Sequence, residues 1–145
     1  MRHPVKFINS RYSKGLTYKR IRSYAKTIYS PFEYQTLPEE KRICYWADFW
    51  IKWNQLIVDN SKQHKTITYK IEDMNVQVWQ NILKELNFNI SQNELLSAME
   101  GLSNTTNSLK SSRPYQQESD IVKILKENNL FDQLKETAAT FGYDL

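Results

Sequence analysis

One apolar pattern constrains this chain of 145 residues more than any other feature, because bulky side chains recur every three or four positions between Glu39 and Asp59. That spacing places them on one face of an α-helix. We expect this face to pack into a protein core. The alternative is that one of its tryptophans lies at the edge of a binding pocket. The pattern consists of Ile43, Trp46, Trp50, Trp53 and Ile57.

The composition fits one domain with a buried core, since 40% of the residues are hydrophobic and 13% are aromatic. No window is apolar for long enough to span a bilayer, and the first residues lack the apolar run of a secretory signal. The single cysteine, Cys44, cannot form an internal disulfide and is expected to be a buried thiol. We therefore expect a soluble, cytoplasmic protein without a membrane partner.

The net charge of +4 is distributed unevenly along the chain. The residues before Glu33, the first acidic residue, carry +8, whereas the remaining residues carry −4. A basic segment of this kind attracts phosphate groups, and the tyrosines interleaved with it can stack on bases. The charge distribution is therefore equally compatible with a phosphorylated nucleotide and with nucleic acid.

The N-terminal segment predicts a helix that begins at Pro4, because proline suits the first helical position and apolar residues follow at three- and four-residue steps. The start of a helix stabilises an anion through its free N–H groups and its dipole. Arg2 lies just outside this start, and Ser10 supplies a hydroxyl eight positions later. Arg2 and Ser10 are thus candidate phosphate ligands. The alternative is a solvated terminal arginine and a surface serine.

This arrangement of Arg-x-Pro, a helix and a serine resembles the 3′-phosphate-binding segment of the sulfotransferases that use 3′-phosphoadenosine 5′-phosphosulfate (PAPS). The resemblance implies that Arg2 and Ser10 hold the 3′-phosphate of PAPS, the co-substrate. It also implies transfer of a sulfuryl group to a hydroxyl or amine acceptor. Lys70-Ile71-Glu72-Asp73-Met74 is similar to a family strand that ends in Arg-Tyr-Glu-Asp-Leu, with Lys and Ile in place of Arg and Tyr. No catalytic role follows for Glu72 or Asp73.

Two later segments add to the resemblance. In the family, the region that corresponds to the loop from Asn104 to Pro114 folds over the nucleotide, which makes Lys110 and Arg113 further candidates for binding the 3′-phosphate. No glycine accompanies these two residues, and the alternative is a pair of solvated loop cations. The ending Phe-Gly-Tyr at residues 141–143 is similar to that of many bacterial members.

The parts of the family that perform catalysis have no counterpart in this sequence. Glycine occurs only at positions 15, 101 and 142, so no Gly-rich phosphate loop can be assigned. The family's loop lysine and general-base histidine are also missing, and His3 and His64 do not match them. We assign no catalytic residue and no metal. We expect residues 1–145 to be a single partial sulfotransferase-like domain, truncated or with a misassigned start, which transfers no sulfate alone.

The alternating, β-rich run from Thr66 to Ile71 predicts a strand. A lone strand leaves its N–H and C=O groups without partners, so other strands are needed from a missing N-terminal half or from a second copy. The expected fold class is therefore α/β: the C-terminal portion of a P-loop-like, three-layer sulfotransferase fold, mostly helical in the part present. The alternative is a largely helical domain in which this run forms a hairpin arm or pairs between subunits.

Four helices are predicted after this run. The first extends from Asn75 to Leu86, and the second follows a capping box, Ser91 to Glu94, and stops at Gly101. The third begins at Ser119, which we expect to cap it, and the last ends near Gly142.

Two other functional classes fit parts of the sequence. The first is a small, basic, helical protein that binds nucleic acid through residues 2–26. The second is an interaction module that uses the edge of the predicted strand.

Overall fold

The computed structural model describes residues 2–13, 37–64, 66–103 and 116–145, and the regular elements of these residues are all helical. Helix α2 is the longest of them, and α1, α5 and α6 pack against it. The elements are α1 Pro4–Ser13, α2 Glu39–Ser61, a 3₁₀ turn Ile71–Asp73, α3 Val76–Glu85, α4 Gln92–Ser103, α5 Glu118–Glu127 and α6 Phe131–Ala139.

The apolar face of α2 forms the centre of the core. Trp46 and Ile51 are 2% and 0% exposed, and one core cluster joins them to residues of α1, α5 and α6. Burial of a large apolar side chain stabilises a fold by about 1.5–3 kcal/mol relative to leaving it exposed. The predicted core role is confirmed for the first three members of the pattern, but Trp53 is 38% exposed.

The predicted α/β fold is wrong for the residues that the structure describes, because they contain no strand and no sheet. The predicted strand instead has no regular structure at residues 66–70 and continues into the 3₁₀ turn. The last two carbonyls of the run accept local bonds: Asp73 N–H donates to Lys70 O at 3.2 Å, and Met74 N–H to Ile71 O at 3.2 Å. β-propensity alone does not make a strand when no second strand pairs with it.

Several helix ends follow from local chemistry, and the predicted start at Pro4 and the predicted capping box are confirmed. Helix α1 begins at Pro4. Helix α3 follows Asn75, whose side chain accepts a hydrogen bond from Val78 N–H at 3.0 Å. The capping box is present, since Ser91 N–H donates to the Glu94 carboxylate at 2.9 Å and Glu94 N–H to Ser91 Oγ at 3.3 Å.

Two predicted ends are wrong. Helix α4 passes through Gly101 and continues to Ser103, which costs only about 1 kcal/mol relative to alanine in a helix interior. Helix α5 begins at Glu118 after Gln117, so Ser119 lies inside the helix rather than at its cap. After α6, the chain turns at Gly142 with φ +73, a left-handed conformation that glycine adopts without strain.

A side chain of α1 fixes the segment that leads into α5. Asn9 is 8% exposed, and its amide donates to Gln116 O at 2.7 Å and accepts from Gln116 N–H at 3.1 Å. These two bonds hold α1 against the start of α5.

Helices α3 and α4 pack on each other and leave Leu86, Phe88 and Leu96 exposed. In the described ranges, none of the helices has the length and apolar character that crossing a membrane requires.

Candidate functional site

A carboxylate of the protein itself lies at the start of α1. The backbone N–H of His3, directly before the helix, donates to Glu72 Oε1 at 2.8 Å. A carboxylate is stabilised there by the positive end of the helix dipole. The sequence predicted the start of this helix as a site for a phosphate, but at the His3 N–H the acceptor is the Glu72 carboxylate.

Tyr143 holds the other oxygen of the same carboxylate. Its hydroxyl donates to Glu72 Oε2 at 2.9 Å, and its ring meets the His3 ring edge-on at a centroid distance of 5.6 Å. Lys70 Nζ lies 5.1 Å from the centroid of the Tyr143 ring. Residues 70–74 and residues 141–143 are two of the segments on which the family resemblance was based. They thus meet at the start of α1.

These contacts shift the protonation equilibria of the three groups. Burial pushes the pKa of Glu72 upward, but hydrogen bonds from His3 N–H, from its own N–H and from Tyr143 outweigh burial and leave this pKa below its ordinary value. Burial, and then the hydrogen bond to Glu72, raise the pKa of Tyr143. Burial lowers the pKa of His3, so this imidazole is neutral at pH 7.

A cavity of about 380 Å³ lies between α1 and α2, and both Arg2 and Ser10 line it. Ser10 is only 5% exposed, whereas Arg2 is exposed. The structure therefore brings the first two predicted site residues to one cavity, although their role in binding stays a prediction. The other two, Lys110 and Arg113, lie outside the described residues. So does most of the basic segment, including residues 14–26, on which the nucleic-acid alternative depends.

Three parallel rings extend along this cavity, and we call Phe7, Phe49 and Trp53 the aromatic row. Phe7 and Phe49 stack at a centroid distance of 6.3 Å with 6° between their planes, and Phe49 and Trp53 stack at 5.9 Å with 7°. All three line the cavity, and Trp53 is the most exposed residue of the three. A planar ligand can stack on such a surface.

The charge of the cavity lining is positive. It includes Arg2 and Arg11, and none of the described lining residues is acidic. The Arg11 guanidinium lies 5.2 Å from the centroid of the Phe7 ring. Two guanidinium groups beside aromatic walls favour a ligand that combines a planar ring with negative charge.

Sequence reasoning predicted Arg2 and Ser10, at and before α1, but did not predict which residues of α2 line the same cavity. The cavity also contains Trp50, Trp53 and Asn54 of α2. The only sequence signal was the tryptophan spacing, for which a pocket edge was the alternative to the core. Trp53 lies at such an edge, while Trp50 is 3% exposed and belongs to both the core and the cavity wall.

Other reactive side chains in the described ranges do not form a second centre. No group of three or more His, Cys, Asp or Glu residues is placed there to hold a metal ion. Cys44 is buried in α2, and burial raises the pKa of its thiol. His64 is exposed after the end of α2.

No protein-family model, curated protein sequence or solved structure matches this chain.

Proposed function

We propose that this chain is the 3′-phosphate-binding part of a PAPS-dependent sulfotransferase, and that it binds an adenine nucleotide in the cavity between α1 and α2. One observation carries the proposal: Arg2 and Ser10, which the resemblance selects by their spacing, line the same cavity. The proposal does not extend to the α/β fold of the family, which the described residues lack.

The proposed roles follow from the chemistry of the lining. The Arg2 guanidinium can bind two phosphate oxygens with a planar pair of N–H groups, and the Ser10 hydroxyl can donate to a third. The phosphate then lies against these side chains rather than at the His3 N–H, where the Glu72 carboxylate already accepts. The aromatic row supplies a stacking surface for the base.

The proposal includes binding and excludes transfer by this chain alone. The sequence supplies no Gly-rich loop for the 5′-phosphosulfate, and neither His3 nor His64 corresponds to a general base of the family. The acceptor, a hydroxyl or an amine, is left open. A cytoplasmic location is part of the proposal, supported by the single cysteine, which leaves no internal disulfide to form.

The test compares adenosine 3′,5′-bisphosphate with adenosine 5′-phosphate. Trp50 and Trp53 line the cavity, so intrinsic fluorescence reports binding directly. We expect the bisphosphate to bind at least about tenfold more tightly, because a hydrogen bond to a charged group contributes about 1.5–3 kcal/mol. The Arg2→Ala variant should lose this preference.

Lys6→Ala is the matched control, since Lys6 is an exposed cation four residues after Arg2 that does not line the cavity. It should keep the preference for the bisphosphate. Equal binding of the two nucleotides, or equal losses in Arg2→Ala and Lys6→Ala, contradicts the proposal. Equal losses in the two variants would mean that binding depends on net charge and not on the cavity.

A further inference from the structure

A junction of three residues, His3, Glu72 and Tyr143, adjoins the cavity between α1 and α2. The Glu72 carboxylate accepts from His3 N–H at 2.8 Å and from the Tyr143 hydroxyl at 2.9 Å. Arg2 directly precedes His3, Ile71 directly precedes Glu72, and both Arg2 and Ile71 line the cavity. The bond between His3 N–H and Glu72 therefore joins two segments that each supply a residue of the cavity wall.

The His3 ring is placed where a positive charge is unfavourable. Its Nδ1 is buried and has no hydrogen-bond partner among the residues that the structure describes. Protonation makes this atom a charged N–H donor without an acceptor, which is costlier than a neutral unsatisfied group. The ring also meets the Tyr143 ring edge-on at a centroid distance of 5.6 Å, so turning the imidazole out to solvent breaks this contact.

Charged groups around His3 act on its pKa in both directions. Burial has the largest effect and lowers this pKa, Glu118 raises it, Lys6 lowers it and Glu72 raises it, and the net pKa lies below the ordinary value of 6.5. An open junction therefore takes up a proton more readily than a closed one, and the closed form loses stability as the pH falls below 6.5. The charged side chains near the junction come from several elements: Lys6 of α1, Glu72 and Asp73 of the 3₁₀ turn, Lys70 before that turn, and Glu118 of α5.

We propose that this junction is a pH-operated latch on the cavity, in which protonation of His3 releases Glu72 from the start of α1 and detaches the Arg2 side of the cavity wall. The latch regulates the site of the proposed function and rests on that function for its ligand, but its opening is a property of the free chain. At still lower pH, protonation of Glu72 removes the ionised acceptor and acts in the same direction.

A tightened junction is the competing outcome, because the Glu118 and Glu72 carboxylates attract an imidazolium. If the protonated ring turned towards either carboxylate, acid would strengthen the junction. The two outcomes predict opposite changes at one observable group, the His3 N–H that donates to Glu72.

The experiment follows exchange of the His3 amide hydrogen with water by NMR from about pH 7.5 to about pH 5.5, corrected for the exchange rate of an unstructured peptide. The resulting protection factor should fall at least about threefold in the unmodified chain, since one such group changes an opening equilibrium by up to about tenfold per pH unit. It should stay constant in His3→Gln, whose side chain does not titrate. The His3 amide should be less protected than the core of α2 throughout, which separates opening of the latch from unfolding of the chain.

His64→Gln is the matched control, because His64 is the other histidine of the sequence, is exposed after α2 and does not line this cavity. It should keep the pH dependence of the unmodified chain. If His3→Gln does not fold, NMR titration of the His3 ring in the unmodified chain decides. The midpoint of this titration should lie below 6.5, and the protection factor should fall over the same pH range.

A protection factor that is constant, or that rises as the pH falls, overturns the latch, and so does an equal fall in His3→Gln. Saturating adenosine 3′,5′-bisphosphate at about pH 7.5 should raise the protection factor at least about threefold, because a ligand that needs Arg2 in place binds the closed junction preferentially. Bound nucleotide that leaves protection unchanged overturns the action of the latch on the cavity. Absence of nucleotide binding contradicts the proposed function alone, since the pH series contains no ligand.

Discussion

Glu72 joins parts of the chain that are far apart in sequence. Its carboxylate accepts from residues 69 and 71 positions away, the His3 backbone and the Tyr143 hydroxyl. Sequence reasoning assigned it no catalytic role and could not name its partners, because neither the pairing of distant residues nor the orientation of a carboxylate can be read from local spacing. The same limit applies to Asn54, which lines the cavity although no local pattern marked it.

The prediction at this scale concerns Glu72→Gln. It should lower the free energy of unfolding by about 1 kcal/mol at pH 7, a modest effect because the carboxylate is exposed to solvent. The pKa of Glu72 is depressed in the folded state, so its contribution is present above the ordinary value near 4.5 and is lost as the pH falls through the folded value. Urea unfolding of both proteins from pH 7 to pH 3 measures this.

Asp73→Asn is the control, because it removes the adjacent carboxylate of the same 3₁₀ turn. It should lower the free energy of unfolding by less than Glu72→Gln does. If Glu72→Gln destabilises equally at pH 7 and pH 3, the ionised carboxylate is not the source of the stabilisation.

At the scale of elements, the sequence predicted helices well and the strand wrongly. The helices have periodic apolar faces and local start signals, such as Pro4 at the first position of α1 and Asn75 at the cap of α3, so nearby residues determine them. The run at residues 66–71 has β-branched residues and alternation, but a strand needs a partner that no local pattern supplies. Gly101 was predicted to end α4, but the helix continues through this residue to Ser103.

The prediction for elements concerns the cap of α4. Ser91→Ala removes the hydroxyl that accepts from Glu94 N–H, so the first turn of α4 should open more often. We expect amide hydrogens of that turn to exchange about fivefold faster, while those of α2 are unchanged. Hydrogen exchange followed by mass spectrometry or NMR measures both helices at once.

Ser97→Ala provides the matched control, because Ser97 is exposed within the same helix. Alanine favours helix there, so exchange should stay equal or become slower. Faster exchange throughout the chain in Ser91→Ala would show that the cap contributes to global rather than local stability.

At the scale of the whole molecule, a helical core surrounds α2, and the candidate cavity lies where α1 crosses it. Arg2, just before α1, and Ser10, within it, could be predicted to lie near each other from the sequence, because the local helix sets most of the distance between them. The residues of α2 that form the opposite wall of the cavity could not be predicted, since the packing of α1 on α2 depends on contacts across the fold. Lys110 and Arg113 stay predictions for the same site.

The prediction for the whole molecule concerns activity. The purified chain should transfer no labelled sulfate from PAPS to hydroxyl or amine acceptors, while it binds adenosine 3′,5′-bisphosphate. The physical reason is that no Gly-rich loop is present to hold the 5′-phosphosulfate. An active sulfotransferase assayed in parallel validates the acceptors, and measurable transfer by this chain refutes the assignment of a binding role without catalysis.

The junction of His3, Glu72 and Tyr143 has a consequence for synthesis of the protein. Tyr143 follows every helix described above, so the nascent chain cannot close this junction until all of these helices have been synthesised. Individual helices can form earlier, but the three-way contact of residues 3, 72 and 143 is completed only after them.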